Sequence, residues 1–300
     1  MKIIVTHSSP DWDAITSVWL LKRFFPGWNT ANIQFVPAGE RIGKLKAPIE
    51  KIDGDEVIHV DTGMGPLDHH ETNDQNVCAA SRTLDFVKRT QNSNLIKTQN
   101  YEGKEHLEDK LEAIDRIVRI VVDIDHFKEV FWDNPTADYH EFSLLGVLEG
   151  LKLQKPDDDE YYVEFGMQVL DALVHNFKNR IWAEIEIKEK GIEFSTRYGK
   201  GIGFETINDS VVKLAQKMGY VLAVRKDPRK GYVRIKARPS QTQNEIDLTL
   251  AYEKLKKIDP EATWYLHVSK KMLLNGTPKN PKMVPTKLTL KEIIAVLEKV

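Results

Sequence analysis

Three consecutive residues, Asp68-His69-His70, are of types that could do chemistry. Two imidazoles beside a carboxylate are costly to bury without a compensating partner. Aspartate and histidine side chains are also common ligands of divalent metal ions. The triplet therefore predicts a site that holds a charged ligand, provided that other segments of the chain supply further ligands.

Further carboxylates and imidazoles follow other apolar runs. His7 follows "KIIVT", and Asp61 follows "EVIHV". The carboxyl ends of strands in open α/β sheets meet at a crevice where ligands bind, so we expect these groups to converge. A third apolar run, "IVRIVV", leads into Asp123, Asp125 and His126, and the sequence leaves open which of the three belongs to the crevice. We prefer Asp123, because it comes directly after the apolar residues. The remaining candidates, Asp11 and Asp13, lie in the loop after the first run.

Several aspartates in one crevice would repel each other strongly unless cations compensate them. Mixed aspartate and histidine ligation without a cysteine favours hard divalent ions, with Mn²⁺ as our first choice and Mg²⁺ as the alternative. Two such ions about 3.5–4 Å apart can bind both the attacking water and the leaving oxygen of a phosphate ester. The pattern therefore predicts two divalent metal ions and metal-assisted hydrolysis.

Each candidate also has a purely structural interpretation. Asp11 or Asp13 could cap the helix that follows. Asp61 could be a turn residue. Asp123 could pair with Arg119 on one helix face. Each of these alternatives is competitive alone, but together they do not explain why all the groups fall where one crevice would gather them.

The pattern of apolar residues predicts an α/β fold with two domains, residues 1–190 and 191–300. In the first domain, strands and helices alternate up to about residue 90, which is typical of a mainly parallel sheet, and residues 105–190 are mostly helical. In the second, smaller domain, strands and helices also alternate. "YVLAVRKDPRKGYVRIKARP" predicts two strands around a turn, and Thr289 with Glu292 forms a capping box before the last helix.

Composition and charge limit the classes of function. The single cysteine, Cys78, excludes an internal disulfide, and no apolar run approaches the roughly 18 residues of a membrane span. With no signal peptide at the start, we expect a cytoplasmic protein without membrane contact. Residues 196–300 carry 21 Lys and Arg against 10 Asp and Glu, whereas residues 1–195 carry 22 against 35. A basic second part suggests that it binds something anionic.

Four segments resemble the motifs of the DHH phosphoesterases: "THSSPDWDA", "VDTG", Asp68-His69-His70 and "VVDID". That superfamily includes RecJ-type exonucleases, oligoribonucleases, cyclic-dinucleotide phosphodiesterases and family II pyrophosphatases. The resemblance covers about residues 1–150 and is weaker over the last hundred residues. It implies a DHH-type catalytic domain followed by a substrate-binding domain. The glycine-rich motif that many DHH nucleases carry in the second domain is not found in this sequence.

The resemblance also implies a role for each matched residue. His7 and Asp11 would bind one metal ion, and Asp61 would bridge both ions. His70 would face the substrate phosphate and stabilise the charge that develops there, while Asp68 would orient an imidazole. The remaining ligands of the second ion would be Asp13, His69 and Asp123.

Basic residues of the second domain are candidates for substrate binding. Alternate residues such as Arg234 and Lys236 would share one face of a strand. Such a face is as often merely solvated, but it could also hold a phosphodiester backbone. The complete set of candidates is Arg225, Arg234, Lys236, His267 and Lys270.

The leading hypothesis is therefore a metal-dependent phosphoesterase that hydrolyses a phosphodiester, such as a short oligonucleotide or a nucleotide, with single-stranded nucleic acid as a possible partner. A small-molecule phosphatase or pyrophosphatase with the same metal centre is the second hypothesis. Two hypotheses outside enzymology remain: a nucleotide-binding regulator without catalysis, and a structural protein whose acidic crevice is accidental.

Overall fold

The protein is described by a computed structural model that covers residues 1–44, 47–90, 104–239, 246–277, 280 and 282–299. It divides into two compact units, Met1–Lys178 and Asn179–Val300. The division falls inside a long helix, Asp159–Lys190, whereas the sequence pattern places the change at the end of that helix. Both units combine helices with a sheet, which confirms the α/β fold class.

The first unit is built on a four-stranded sheet. Its described elements are β1 (Lys2–His7), α1 (Trp12–Phe24), β2 (Asn32–Val36), β3 (Glu50–Ile52), β4 (Asp55–His59), α2 (Ala79–Arg89), α3 (Lys104–Asp125), a 3-10 turn (Lys128–Phe131), α4 (Asp138–Glu141), α5 (Leu144–Gln154) and the start of α6 (Asp159–Lys190). The strand order is β2-β1-β4-β3. β1 is parallel to both β2 and β4, and the short β3 is antiparallel to β4. The sheet is therefore mainly parallel, as predicted.

Burial explains the central position of β1 and the extent of α1. Ile4 and Val5 of β1 are fully buried, as expected for a strand with neighbours on both sides. Asp11 caps the start of α1, and its Oδ1 accepts the N–H of Asp13 and of Ala14 at 2.9 and 3.0 Å. Most of α1 is buried, and it packs against α2 and α3. The loop between β1 and α1 is thereby fixed at the carboxyl end of the sheet.

The second unit contains a six-stranded sheet between two layers of helices. Its described elements are the end of α6, β5 (Ile192–Thr196), β6 (Gly199–Glu205), α7 (Ser210–Lys217), β7 (Leu222–Lys226), β8 (Val233–Ala237), α8 (Thr249–Ile258), β9 (Trp264–Leu266), β10 (Met272–Asn275) and α9 (Leu290–Leu297). The strand order is β5-β6-β7-β8-β10-β9, and only the β6–β7 pair among these described strands is parallel. α6 and α7 cover one face, and α8 and α9 contribute to the core on the other.

Side chains cap the start of α9, the last described helix of the second unit. The predicted capping box is present at α9: Glu292 N–H donates to Thr289 Oγ1 at 3.2 Å, and Thr289 N–H donates to Glu292 Oε2 at 2.7 Å. The cap satisfies backbone donors that the first turn of a helix otherwise leaves unpaired. Among the helices of the described residues, none has the length and apolar character needed to cross a bilayer.

Candidate metal centre

The parallel strands β1 and β4 bring the first candidates together at one edge of the sheet. His7 is the last residue of β1. Asp61 lies two residues beyond β4, and Val60 N–H still pairs with the carbonyl of Val5. His7 Nε2 lies 3.2 Å from Asp61 Oδ2. Because adjacent parallel strands end at the same edge, the predicted convergence of these two groups is a direct consequence of the sheet.

The backbone of Asp61 has a conformation that its surroundings must impose. Its φ is +53°, a left-handed conformation that is uncommon outside glycine, and the residue is only 3% exposed. Burial, followed by the charges of Asp11 and Asp125, raises the pKa of Asp61 well above its ordinary value. A cation beside this carboxylate would compensate both the burial of its charge and the repulsion from Asp11 and Asp125.

Asp13 points away from solvent and binds the start of a second helix. Its Oδ2 accepts the N–H of Ala79 at 2.7 Å, and its Oδ1 accepts the N–H of Ala80 at 2.6 Å. These amides begin α2, so the carboxylate lies at the positive end of that helix. Burial and the neighbouring Asp61 nevertheless raise the pKa of Asp13. Asp11 fits both interpretations of the sequence, the helix cap and the metal ligand. It caps α1, and it lies in one potential ligand group with His7 and Asp61.

His69 lies at the centre of the carboxylates. Its Nε2 is 3.5 Å from Asp13 Oδ2, 3.7 Å from Asp61 Oδ1 and 3.5 Å from Asp125 Oδ2. Burial lowers the pKa of His69, which favours the neutral imidazole that can bind a metal ion. Burial also raises the pKa of Asp125. One imidazole nitrogen therefore faces oxygens from three separate segments of the chain.

The last of these oxygens comes from Asp125, not from the preferred Asp123. Asp125 is 13% exposed at its side chain, and it forms a possible ligand group with His69 and His126. The Asp123 side chain is 46% exposed and pairs with Lys128 at 3.1 Å. Both aspartates lie in α3, where residues two apart point in different directions. The geometry therefore replaces Asp123 by Asp125 in the candidate centre.

Asp68 and His70 lie beside this group. Asp68 accepts the backbone N–H groups of Met64 and His69, each at 2.7 Å, and its Oδ1 lies 2.6 Å from His70 Nδ1. Burial would raise the pKa of Asp68, but the hydrogen bonds from His70 and the backbone outweigh it, and the pKa is lowered. The ionised Asp68 thus fixes the orientation of the exposed His70 ring, whose Nδ1 is 4.0 Å from Asp61 Oδ1.

The donors present fit divalent cations. Among the buried side-chain atoms that have no hydrogen-bond partner in the described part of the chain, three lie together in the candidate centre: Asp61 Oδ1, His69 Nε2 and Asp125 Oδ2. Buried polar atoms are nearly always paired, so three unpaired atoms that face one another call for an explanation. Oxygen and imidazole donors suit divalent ions, and such an ion would satisfy all three. The acidic and histidine groups of this region could therefore hold metal ions.

The predicted substrate-binding residues lie in the second unit, where most of them have protein partners. Arg225 is buried and pairs with Asp209 at 3.0 Å, and Arg234 pairs with the same carboxylate. Lys270 pairs with Asp247 at 3.1 Å. The other two candidates are His267, whose Nδ1 lies 2.8 Å from Ser269 Oγ, and Lys236, on the same face of β8 as Arg234.

The sequence interpretation named His126 among its candidates but missed Arg41 and Glu50. His126 is next to Asp125, and its Nε2 lies 2.9 Å from the carbonyl of Val77. Arg41 and the buried Glu50 lie behind the loop that carries Asp61. No motif marks Arg41 or Glu50, because an arginine and a glutamate at this spacing are common on ordinary surfaces.

Comparisons with known proteins do not establish a family for the chain. No family model matches it, and no curated protein sequence matches it significantly. A solved structure of an uncharacterized protein from Helicobacter pylori is similar over 100% of this chain and 99% of its own, with 12% identity and a TM-score of 0.25. The DHH domain of a protein described as a member of a ribosomal protein family is similar over 99% of this chain and 86% of its own, with 11% identity and a TM-score of 0.34. Likenesses this distant carry no argument, so the interpretation of the centre rests on its own residues.

Proposed function

We propose that the protein is a metal-dependent phosphoesterase that hydrolyses a phosphodiester or a nucleotide. The observation that supports it best is the group of three buried, unpaired ligand atoms on Asp61, His69 and Asp125. A protein that needed only a stable core would not gather carboxylates whose pKa values are raised by burial and by one another. Two divalent cations, Mn²⁺ by preference or Mg²⁺, would compensate the repulsion.

The ligands divide into two overlapping sets. His7, Asp11 and Asp61 would hold one ion, because their donor atoms lie within 4.8 Å of one another. The other ion would share Asp61. Its remaining ligands would be Asp13, His69 and Asp125. When bound, two such ions supply positive charge to the attacking and leaving oxygens of a phosphate ester.

The residues of the chain would then position the substrate and its protons. Asp68 holds Nδ1 of His70 at 2.6 Å, so the Nε2 of that exposed ring is left to face a substrate phosphate. A donor fixed in advance stabilises charge that develops during the reaction without having to reorient. Asp68 is thus the residue that orients His70, and His70 is the residue that contacts the phosphate.

The structure gives a specific reason to keep the small-molecule alternative. Arg225 and Arg234 both pair with Asp209, so they are less available to hold a polymeric phosphate backbone than the sequence suggests. Among the candidates in the second unit, Lys236 has no side-chain partner within the described residues. A small phosphate ester or pyrophosphate, which needs fewer cationic contacts, is therefore the second candidate substrate class.

A turnover screen with added Mn²⁺ and an EDTA control tests the proposal. It would offer bis-p-nitrophenyl phosphate, short RNA and DNA oligomers, phosphoadenosine phosphate and pyrophosphate. We expect hydrolysis of at least one class that EDTA abolishes and added Mn²⁺ restores. Cleavage of the diesters supports the phosphodiesterase, and cleavage of pyrophosphate alone supports the second candidate. Bound Mn²⁺ without any turnover would instead support a nucleotide-binding regulator.

A further inference from the structure

A buried ion pair between Arg41 and Glu50 contacts the loop that carries Asp61. Arg41 Nη1 donates to the carbonyl of Gly63 at 2.9 Å, and its Nη2 pairs with Glu50 Oε1. The Arg41 side chain is 13% exposed and that of Glu50 only 1%. Buried charges are costly unless they are paired and hydrogen bonded, so a specific use for this pair is expected.

Hydrogen bonds attach the segment that carries Arg41 to the sheet on one side and to the Asp61 loop on the other. On the sheet side, the N–H of Ile42 donates to His59 Nε2 at 3.1 Å, and His59 Nδ1 lies 3.4 Å from Glu50 Oε1. On the loop side, Thr62 Oγ1 donates to the carbonyl of Glu40 at 2.8 Å. Since Glu50 and His59 belong to the paired strands β3 and β4, the sheet determines where Arg41 lies.

The loop itself needs this support. Asp61, Gly63 and Met64 all have left-handed backbones, with φ values of +53°, +78° and +56°. Such conformations cost free energy for residues with a side chain and persist where the surroundings impose them. A Cβ added at Gly63 would lie 2.6 Å from Arg41 Cβ, so the loop and the arginine are in close contact.

We propose that Arg41 is a positioning residue for the metal centre. By holding the carbonyl two residues beyond Asp61, it fixes the conformation that directs the Asp61 carboxylate toward His7 and His69. Glu50 in turn fixes the guanidinium. The inference rests on the proposed function, because Asp61 has a role there as the ligand shared by two ions. Groups that orient metal ligands typically contribute about 10–100-fold to metal affinity.

Mn²⁺ binding by the full chain, followed by the electron paramagnetic resonance of free Mn²⁺, tests the inference without any substrate. Arg41→Met should weaken binding by about 10–100-fold at a temperature well below unfolding. Arg23→Met is the matched control. Arg23 pairs with Asp171 at 2.9 Å in the same unit, so this variant also loses an ion pair, but one that joins α1 to α6. This control should bind Mn²⁺ as the wild type does.

A double variant separates positioning from stability. Arg41→Met alone leaves Glu50 buried without its partner, which could unfold the protein. Arg41→Met with Glu50→Gln removes both charges, so we expect near wild-type thermal unfolding of the metal-free protein but still weakened Mn²⁺ binding. A folded double variant with the wild-type Mn²⁺ affinity would overturn the inference while leaving the proposed function intact. If the wild type itself binds no Mn²⁺, the proposed function fails.

Discussion

The candidate metal centre of the first unit and the basic strands of the second unit differ in how their charged side chains are paired. In the centre, carboxylates lie among other carboxylates, and Asp61, His69 and Asp125 retain unpaired buried atoms. In the second unit, Arg225 and Arg234 share Asp209 as their partner. Both regions were candidates for function on the basis of residue type alone, yet these two arginines have a carboxylate partner, whereas the clustered carboxylates of the centre have no lysine or arginine among them within the described residues.

This difference teaches that unpaired charge is a stronger indicator of a ligand than charge itself. A side chain that already has its partner in the folded chain gains little from an added ligand, whereas a buried and unpaired group gains a great deal. Burial and like charge raise the pKa values of Asp13 and Asp61, so the metal-free centre is less stable than it would be with neutral side chains.

The largest expected effect follows from neutralising the shared ligand. Asp61→Asn should lower the hydrolysis rate by roughly 10³-fold or more, since both ions lose a ligand. It should also stabilise the metal-free protein by about 1 kcal/mol near pH 8, or roughly 2–4 °C in Tm. A raised pKa means that the folded wild type loses stability as the pH increases toward that pKa, and asparagine cannot ionise.

Thermal unfolding in EDTA at pH 5 and pH 8 checks this prediction. The gain of Asp61→Asn over the wild type should be larger at pH 8 than at pH 5. A variant that is less stable than the wild type at pH 8 would contradict the view that Asp61 is under electrostatic stress. Turnover at the wild-type rate would contradict its role as a shared ligand.

Asp125 and Asp123 of α3 allow a matched pair of substitutions, one at a largely buried candidate ligand and one at an exposed ion pair. Asp125→Asn should weaken Mn²⁺ binding by about 10–100-fold, because it removes an oxygen 3.5 Å from His69 Nε2. Asp123→Asn removes only an exposed ion pair with Lys128, an interaction worth about 0–1 kcal/mol, and should leave binding unchanged. Isothermal titration with Mn²⁺ measures both variants, and the reverse order would restore Asp123 as the ligand.

The choice between these aspartates shows what the sequence could and could not predict. The convergence of His7 and Asp61 follows from strand ends and was predictable. The preference for Asp123 used only its position directly after the apolar residues and not the helical periodicity of the segment. In the part of α3 whose burial is described, the buried residues are Ala113, Ile114, Ile117, Val118, Val121 and Val122, and their helical spacing continues to Asp125. The periodicity was therefore present in the sequence and favours Asp125.

Short strands account for most of what the sequence did not reveal about the fold. β3 and β9 have three residues each, too few for an alternating pattern to be recognised. They form because longer neighbours, β4 and β10, offer free edges. β3 matters beyond its length, since it carries Glu50. A role that depends on such a tertiary contact leaves no motif, so Arg41 could be found only from the structure.

The smallest expected effect concerns the basic strand β8, where two neighbouring cations differ in their partners. Lys236→Gln should raise KM for an oligonucleotide by a few-fold and reduce the salt slope of binding by about 0.7, if this lysine contacts one phosphate of a single strand. Arg234→Gln removes one partner of the half-exposed Asp209, but Arg225 remains 3.0 Å from that carboxylate. The substitution should therefore cost at most about 1 kcal/mol of stability and leave the salt slope unchanged. Binding of a fluorescent oligonucleotide across a range of salt concentrations distinguishes the two variants. Equal salt slopes for the wild type and both variants would mean that this face of β8 is solvated only, and the substrate would then belong to the small phosphates.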